Sequence, residues 1–331
     1  MTTKTPQILS TLFIQVGVLP WFLAIAVMVF SIGSDNFLTV DNMLGVARHS
    51  TDLILVAMAQ MIVMLTAGLD FSVGVVLAMT AVVASMTMVS LWSGFGSGWE
   101  SILIGCLAGL FVSACIGFVN GVGVAFFHVP PFIMTLGMSS IIFGLALTIT
   151  GGIPVYGMPE AFTNVVGYGQ VFGLPITILI TIPCVFLMHV LINWTTMGRY
   201  LYAIGGNIRA AELSGINTRF YLVSVYVISA VITGIAALLI TARLESGEPN
   251  IGASYPLLSI AACAIGGVSL RGGVGRLGSV VLGALFIILV QNGMNLMRLG
   301  SYLQMIVIGA LLIIAIAAEY FRQQMQLKAN Q

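Results

Sequence analysis

Asp70 in GLDFSVG (68 to 74) and Glu248 in SGEPNIG (246 to 252) each stand two places before a small hydrogen-bonding residue, Ser72 and Asn250, and four before a glycine, Gly74 and Gly252. A carboxylate and a hydroxyl at this spacing can cap a helix start by accepting from orphan amide N–H groups. The first phrase also interrupts a nearly continuous apolar stretch from Leu53 to Leu91. Irregular backbone at membrane depth is tolerated only where protein buries it or water lines it. The break is therefore expected to be structural and to lie beside a pathway. Gln60, Asn120, Thr135, Gln291, Asn292, Asn295 and Gln304 are neutral hydrogen-bonders deep in apolar runs. They need partners in a bundle interior or a watered cavity, and interhelical glue is the plain structural reading for many of them. As a set they suit a neutral, hydroxyl-rich cargo, so Gln60, Asp70, Ser72, Asn120, Thr135, Asn292, Asn295 and Gln304 are assigned to a translocation pathway. Ionisable groups within the runs are scarce, mainly Asp70, His189 and the inner-edge His128. That scarcity disfavours the alternative, an ion-coupled secondary transporter of a small polar solute.

Other chemistries are excluded by what the chain lacks. Lys occurs only at positions 4 and 328 and no GxxxxGK run exists, so any ATP-driven work belongs to a partner. Gly273, Gly275 and Gly278 form a GxGxxG, but no Asp or Glu follows before Glu319 to hold a ribose, and the flanking runs are of bilayer length. Those glycines read as a tight turn with close helix approach. HExxH and GxSxG are absent, which ranks an intramembrane enzyme last and leaves no catalytic residue to assign. Cys106, Cys115, Cys184 and Cys263 sit singly in apolar runs, as small buried hydrophobes rather than metal ligands. With a net charge of +1 and no basic stripe, nucleic-acid binding is set aside.

The elements that must position these groups are membrane helices. The 331 residues are 59% hydrophobic and 6% charged, against roughly 25% charged in a soluble domain. Runs of roughly 20 apolar residues centre near 24, 60, 82, 114, 140, 182, 231, 261, 287 and 312, which predicts an all-α polytopic membrane protein of about ten transmembrane helices. With the N-terminus inside, Lys4, Arg199, Arg209, Arg219, Arg271, Arg276, Arg322 and Lys328 fall inside, and only Arg48, Arg243 and Arg298 outside. This obeys the positive-inside rule and places both termini in the cytoplasm. Trp92, Trp99 and Trp194 take interfacial positions.

The two opening phrases align at an offset of 178, and Asn120-Gly121 aligns with Asn292-Gly293 at 172. Spans 2–5 are thereby related to spans 7–10. A shift of five spans inverts the second copy, giving the pseudo-two-fold plan of many transporters. The reading is a single permease domain over 1–331, with a first repeat at 50–150, a coupling loop at 195–219 and a second repeat at 220–321. A rival alignment of Gly68 and Gly74 with Gly267 and Gly273 loses register at the Asn-Gly pair. Small residues at Gly105, Gly109, Ser113, Gly117 and Gly121, and at Gly275, Ser279 and Gly283, form ridges for close packing.

The longest inside connection is GRYLYAIGGNIRAAELSGINTRF, 198 to 220. Asn207 caps a short helix there, Gly215 ends it, and Arg209 and Glu212 share a face. An interfacial amphipathic helix is one reading, and a docking helix for a motor subunit is the sharper one. AGLDFSVG, GGNIRAAELSGIN and IGASYPLLSIAACAIGGVSLRGGVG together resemble the permease subunits of bacterial ABC importers for monosaccharides, of the ribose, xylose, arabinose and galactose type. The likeness runs over nearly the whole chain, with departures at Ala67, Ser254 and Pro256, the last standing where that family usually has Glu. It implies a second permease copy or a paralogue, a cytoplasmic ABC ATPase with two nucleotide sites that binds ATP and Mg, and a periplasmic sugar-binding protein, all at the bacterial inner membrane. No cofactor is implied for this chain itself. Carried over, the coupling residues are Asn207, Arg209, Ala210, Ala211, Glu212, Ser214 and Gly215, with Arg271 and Arg276 as a secondary contact.

Overall fold

A computed structural model describes residues 19–95 and 98–311, with 313, 314 and 317 besides. Among the described residues it forms thirteen α-helices: α1 (Leu19–Gly33), α2 (Val40–Leu65), α3 (Val73–Phe95), α4 (Gly98–Ala125), α5 (Pro131–Thr150), α6 (Glu160–Phe162), α7 (Ile176–Trp194), α8 (Thr196–Gly206), α9 (Ile208–Leu213), α10 (Thr218–Leu244), α11 (Tyr255–Ile265), α12 (Leu277–Leu296) and α13 (Ser301–Leu311). A π-helical turn (Thr163–Gly167) and a two-residue hairpin, β1 (Gln170–Val171) and β2 (Leu174–Pro175), join α6 to α7.

Seven of these helices are long and apolar enough to cross a membrane: α2, α3, α4, α5, α7, α10 and α12. The protein is an all-α polytopic membrane protein with seven long apolar spans among the described residues, where about ten spans were expected. Of the other expected runs, the one centred near 261 gives only the short α11, while those centred near 24 and 312 reach outside the described residues, which hold α1 and α13 of them. The 11 residues of α11 rise about 16 Å, half of a ~30 Å hydrocarbon core. Pro256 opens α11 in its first turn, and left-handed glycines at Gly267, Gly272 and Gly273 stop the chain from continuing it.

Local chemistry sets the ends of the longer helices. Thr39, Thr195 and Asn217 cap α2, α8 and α10 through side-chain oxygens that accept from Asn42, Gly198 and Phe220 N–H groups. Pro131 starts α5, and left-handed Gly151 ends it.

Helix α2 is the centre. It is buried without interruption from Ser50 to Leu65, ringed by α7, α10, α11 and α12. Helix α10 packs along α4 and α3 as well as α2. Between apolar helices in lipid the driving force is close packing rather than water release, and the small-residue ridge of α4 provides it. A Cβ on Gly105 or Gly109 would meet Ala84 or Thr80 of α3, whereas one on Gly117 or Gly121 would meet Tyr226 or Val223 of α10. The ridge therefore divides its length between two neighbours. Gly283 does the same for α12, where a Cβ would lie 2.3 Å from the Ala262 carbonyl of α11.

Candidate functional site

Between α2 and α3 the backbone leaves the helix over residues 66–72 and is held by side chains of three elements. Ala67 turns the chain through a left-handed conformation, φ 63°. The buried Gln60 amide, turned to satisfy both of its ends, donates to the Asp70 carbonyl at 3.0 Å and accepts from the Asp70 N–H at 3.1 Å. Thr135 of α5 accepts from the Phe71 N–H at 3.1 Å and donates toward the Leu69 carbonyl at 3.2 Å. Ser139, one turn on, donates to the Phe71 carbonyl at 2.9 Å. The buried Asp70 carboxylate accepts from the Ser72 N–H at 2.8 Å and the Ser72 hydroxyl at 2.6 Å, and Asn120 of α4 donates to that hydroxyl at 2.8 Å. In apolar surroundings each unmet backbone group would cost several kcal/mol; this network removes that cost and fixes the break in one shape.

The second break, residues 245–254, starts at another left-handed residue, Glu245 with φ 56°, and pairs Gly247 with Val155 in both directions, at 2.8 and 3.0 Å. Its far end meets the first break. A Cβ on Gly74 would lie 2.4 Å from the Gly252 carbonyl oxygen, and one on Gly252 only 1.8 Å from that of Gly74. The two glycines that align in the sequence thus touch backbone to backbone. Beside this contact opens a cavity of about 300 Å³ lined by Phe71, Phe143, Ser139, Ser140, Asn250 and Pro256 among others.

The expected pathway residues divide into groups. Gln60, Asp70, Ser72, Asn120 and Thr135 come together, but as the support behind Phe71; none of them lines this cavity. Asn292 exchanges two hydrogen bonds with Asn42 of α2, at 2.9 and 3.0 Å, and Asn295 accepts from Gln304 at 2.7 Å, tying α12 to α2 and α13. Ser139, Ser140, Phe71 and Phe143 were missed from sequence; the serines sit one turn beyond Thr135 on α5, which was the available signal. The short tally of ionisable groups within spans also needs correcting. Asp52 of α2 is buried and ion-paired with Arg243 near the end of α10.

The Gly-rich run after α11 is a tight turn seated on the end of α2. Gly273 N–H donates to the Leu65 carbonyl at 3.0 Å, Tyr202 of α8 donates to the Gly275 carbonyl at 2.7 Å, and a Cβ on Gly205 of α8 would lie 1.8 Å from the Leu65 oxygen. Arg271 and Arg276 stay exposed around it. Next along α8, Asn207 caps α9 by accepting from the Ala210 N–H at 3.0 Å, Ser214 is its C-cap, and Gly215 follows with φ +83°. Arg209 reaches Glu212 at 3.2 Å, and Glu212 also accepts from Thr218 at 3.2 Å, which fastens α9 to the start of α10. Ala211 packs inward with Ala125, Ile204 and Leu222. Ala211 therefore anchors the helix, while Ile208, Arg209, Ala210 and Leu213 face out. Ile208 and Leu213 are the exposed apolar residues of this short helix.

The family model described as branched-chain amino acid transport system / permease component matches residues 42–316. The D-allose transport system permease protein AlsC of Escherichia coli (strain K12) is 34% identical over 300 residues, 90% of this chain and 90% of that protein. The ribose import permease protein RbsC of Haemophilus influenzae is 34% identical over 304 residues, 90% of this chain and 91% of its own. The L-arabinose transport system permease protein AraH of Escherichia coli (strain K12) is 34% identical over 314 residues, 94% of this chain and 92% of its own. No solved structure matches the chain.

Proposed function

The chain belongs to this family of permease components, the membrane subunits of ABC importers, and from that premise we propose that it carries a monosaccharide inward across the bacterial inner membrane. As a permease it moves cargo and leaves ATP hydrolysis to a partner. The cargo reading rests on one observation: permeases named for allose, ribose and arabinose each match about nine-tenths of the chain. Its partners on this reading are a second permease copy or paralogue, a cytoplasmic ATPase with two nucleotide sites using ATP and Mg, and a periplasmic binding protein. Both termini lie in the cytoplasm.

The two halves are read as an inverted repeat. Left-handed non-glycine residues support it: Ala67 and Glu245, 178 apart, follow α2 and α10, and His128 and Arg298, 170 apart, follow α4 and α12. Packing partners correspond as well, α10 against α4 and α3 answering α2 against α12 and α11. The pathway then passes the meeting point of the two breaks, where unwound backbone in such repeats meets cargo.

Helix α9 is read as the lever the ATPase moves, with Asn207, Arg209, Ala210, Glu212, Ser214 and Gly215 shaping it, Ala211 anchoring it, and Arg271 and Arg276 as a secondary contact. Coupling of this kind requires the docked ATPase to contact the inward- and outward-open states with different free energy. Gly215→Val places a β-branched residue at φ +83°, a cost of about 1–2 kcal/mol, and should turn the exit of α9. Uptake is expected to fall while sugar binding by the receptor stays intact, and Gly215→Asn, tolerated in this conformation, should keep most of it. Normal uptake by the Val variant removes the docking assignment.

Reconstitution with the ATPase and receptor encoded beside it, followed by a panel of sugars and branched-chain amino acids, tests the cargo. Sugar-stimulated ATP hydrolysis with uptake is the expected result. Stimulation by an amino acid and by no sugar overturns it.

A further inference from the structure

Resting on the reading of this chain as a sugar permease, we infer that the cargo is handled by Phe71 and Asn250, one residue from each break, and not by the polar groups set deep in the spans. Those deep groups are already engaged: Gln60 and Thr135 hold the backbone of residues 69–71, and Asn120 holds Ser72. Phe71 is the residue they present. Its N–H and carbonyl are both bound by α5, and its ring meets Phe132 edge to face, centroids 5.1 Å apart at 89°. The ring therefore stands at the cavity wall with little freedom left to lose when cargo arrives.

Asn250 lines the same cavity from the other break and is exposed; among the described residues its side-chain amide has no hydrogen-bond partner. A free amide offers two donors and one carbonyl acceptor, enough to meet adjacent hydroxyls of a pyranose or furanose. An aldose ring also carries C–H faces that pack on an aromatic surface. A cavity of about 300 Å³ is at the small end of ligand pockets, and a mostly apolar lining with a few placed polar groups is how such pockets fix orientation. Phe71, Phe143 and Pro256 supply the apolar part; Asn250 and Ser140 supply the polar one. Two handles and no charge make a weak site, which suits cargo that must leave again. Pro256 adds no charge to this wall.

The test uses the complete importer in proteoliposomes, with sugar uptake measured per ATP hydrolysed. Asn250→Ala and Phe71→Leu are each expected to lower that ratio by roughly tenfold, the size of one lost hydrogen bond or ring contact. Phe71→Tyr should retain uptake, and receptor affinity and receptor-stimulated hydrolysis should remain at wild-type level in all three. An unchanged ratio in Asn250→Ala overturns the inference, and since that side chain is exposed and unbonded the variant should assemble even where Phe71→Leu does not. A wild-type importer that transports no sugar overturns the permease-cargo reading instead, so the two failures are separable.

Discussion

Gly252→Ala is expected to abolish uptake, and Gly74→Ala to come close to it. At Gly123 an added methyl would meet only the Met134 side chain, which can swing aside. Here it meets backbone: 1.8 Å from the Gly74 carbonyl oxygen in one variant and 2.4 Å from that of Gly252 in the other. Neither chain can withdraw alone, because residues 69–72 are held by Gln60, Thr135, Ser139 and Asp70, and Gly247 is held to Val155. Overpacking in an interior costs about 1–3 kcal/mol where some relaxation is possible, and this contact sits toward the upper end. Separating the two breaks also changes the cavity beside their contact. Gly144→Ala on α5, where a Cβ meets nothing within 4 Å, is the matched control and should transport normally. Uptake in cells, normalised to membrane-inserted protein, decides the matter. Wild-type uptake by Gly252→Ala would show that the breaks do not need to touch.

How far the sequence could be read follows from how local each signal is. The break at 66–72 was legible because an Asp and a Ser interrupt an apolar run, and an interruption is visible without knowing its partners. Helix α9 was legible for the same reason, with Asn207 and Gly215 marking its ends three-dimensionally as they do in the linear text. Gln60, Asn120 and Thr135 could be recognised as residues needing partners, but not as the supports of a particular turn, since their partners lie on other helices. The length of α11 was not legible: hydropathy sums over Pro256 and Gly267 as if the chain continued straight through them. Asp52 was overlooked because it stands at the edge of an apolar run, beside His49, Ser50 and Thr51, where a charge reads as loop. Its partner is 191 residues away. Phe71 carried no signal at all, being one aromatic among apolar neighbours; only the hydrogen bonds around its backbone single it out.

Asp52→Ala is expected to destabilise the protein by about 3 kcal/mol, the lower end for breaking a buried pair, because it leaves the partly buried Arg243 guanidinium without its counter-charge. The pair joins α2 to α10, two extensively buried helices, and Asp52 is 1% exposed. Among the described residues the Arg243 Nη1 already has no partner, so loss of the carboxylate strips the remaining side-chain support. The penalty belongs to the unpaired charge rather than to the pair as such. Replacing both partners, with Asp52→Leu and Arg243→Met, should therefore recover most of the lost stability, as apolar replacements of buried ion pairs do. Thermal unfolding of the purified protein in detergent separates these cases. A melting temperature for Asp52→Ala equal to wild type would mean that lipid or water reaches Arg243 and that the pair holds nothing. Uptake by the double variant then assigns the pair's role: because α2 and α10 lead into the two breaks, transport near wild type makes the pair a fastening between halves, whereas a stable double variant that hydrolyses ATP without moving sugar makes its charge part of the gate.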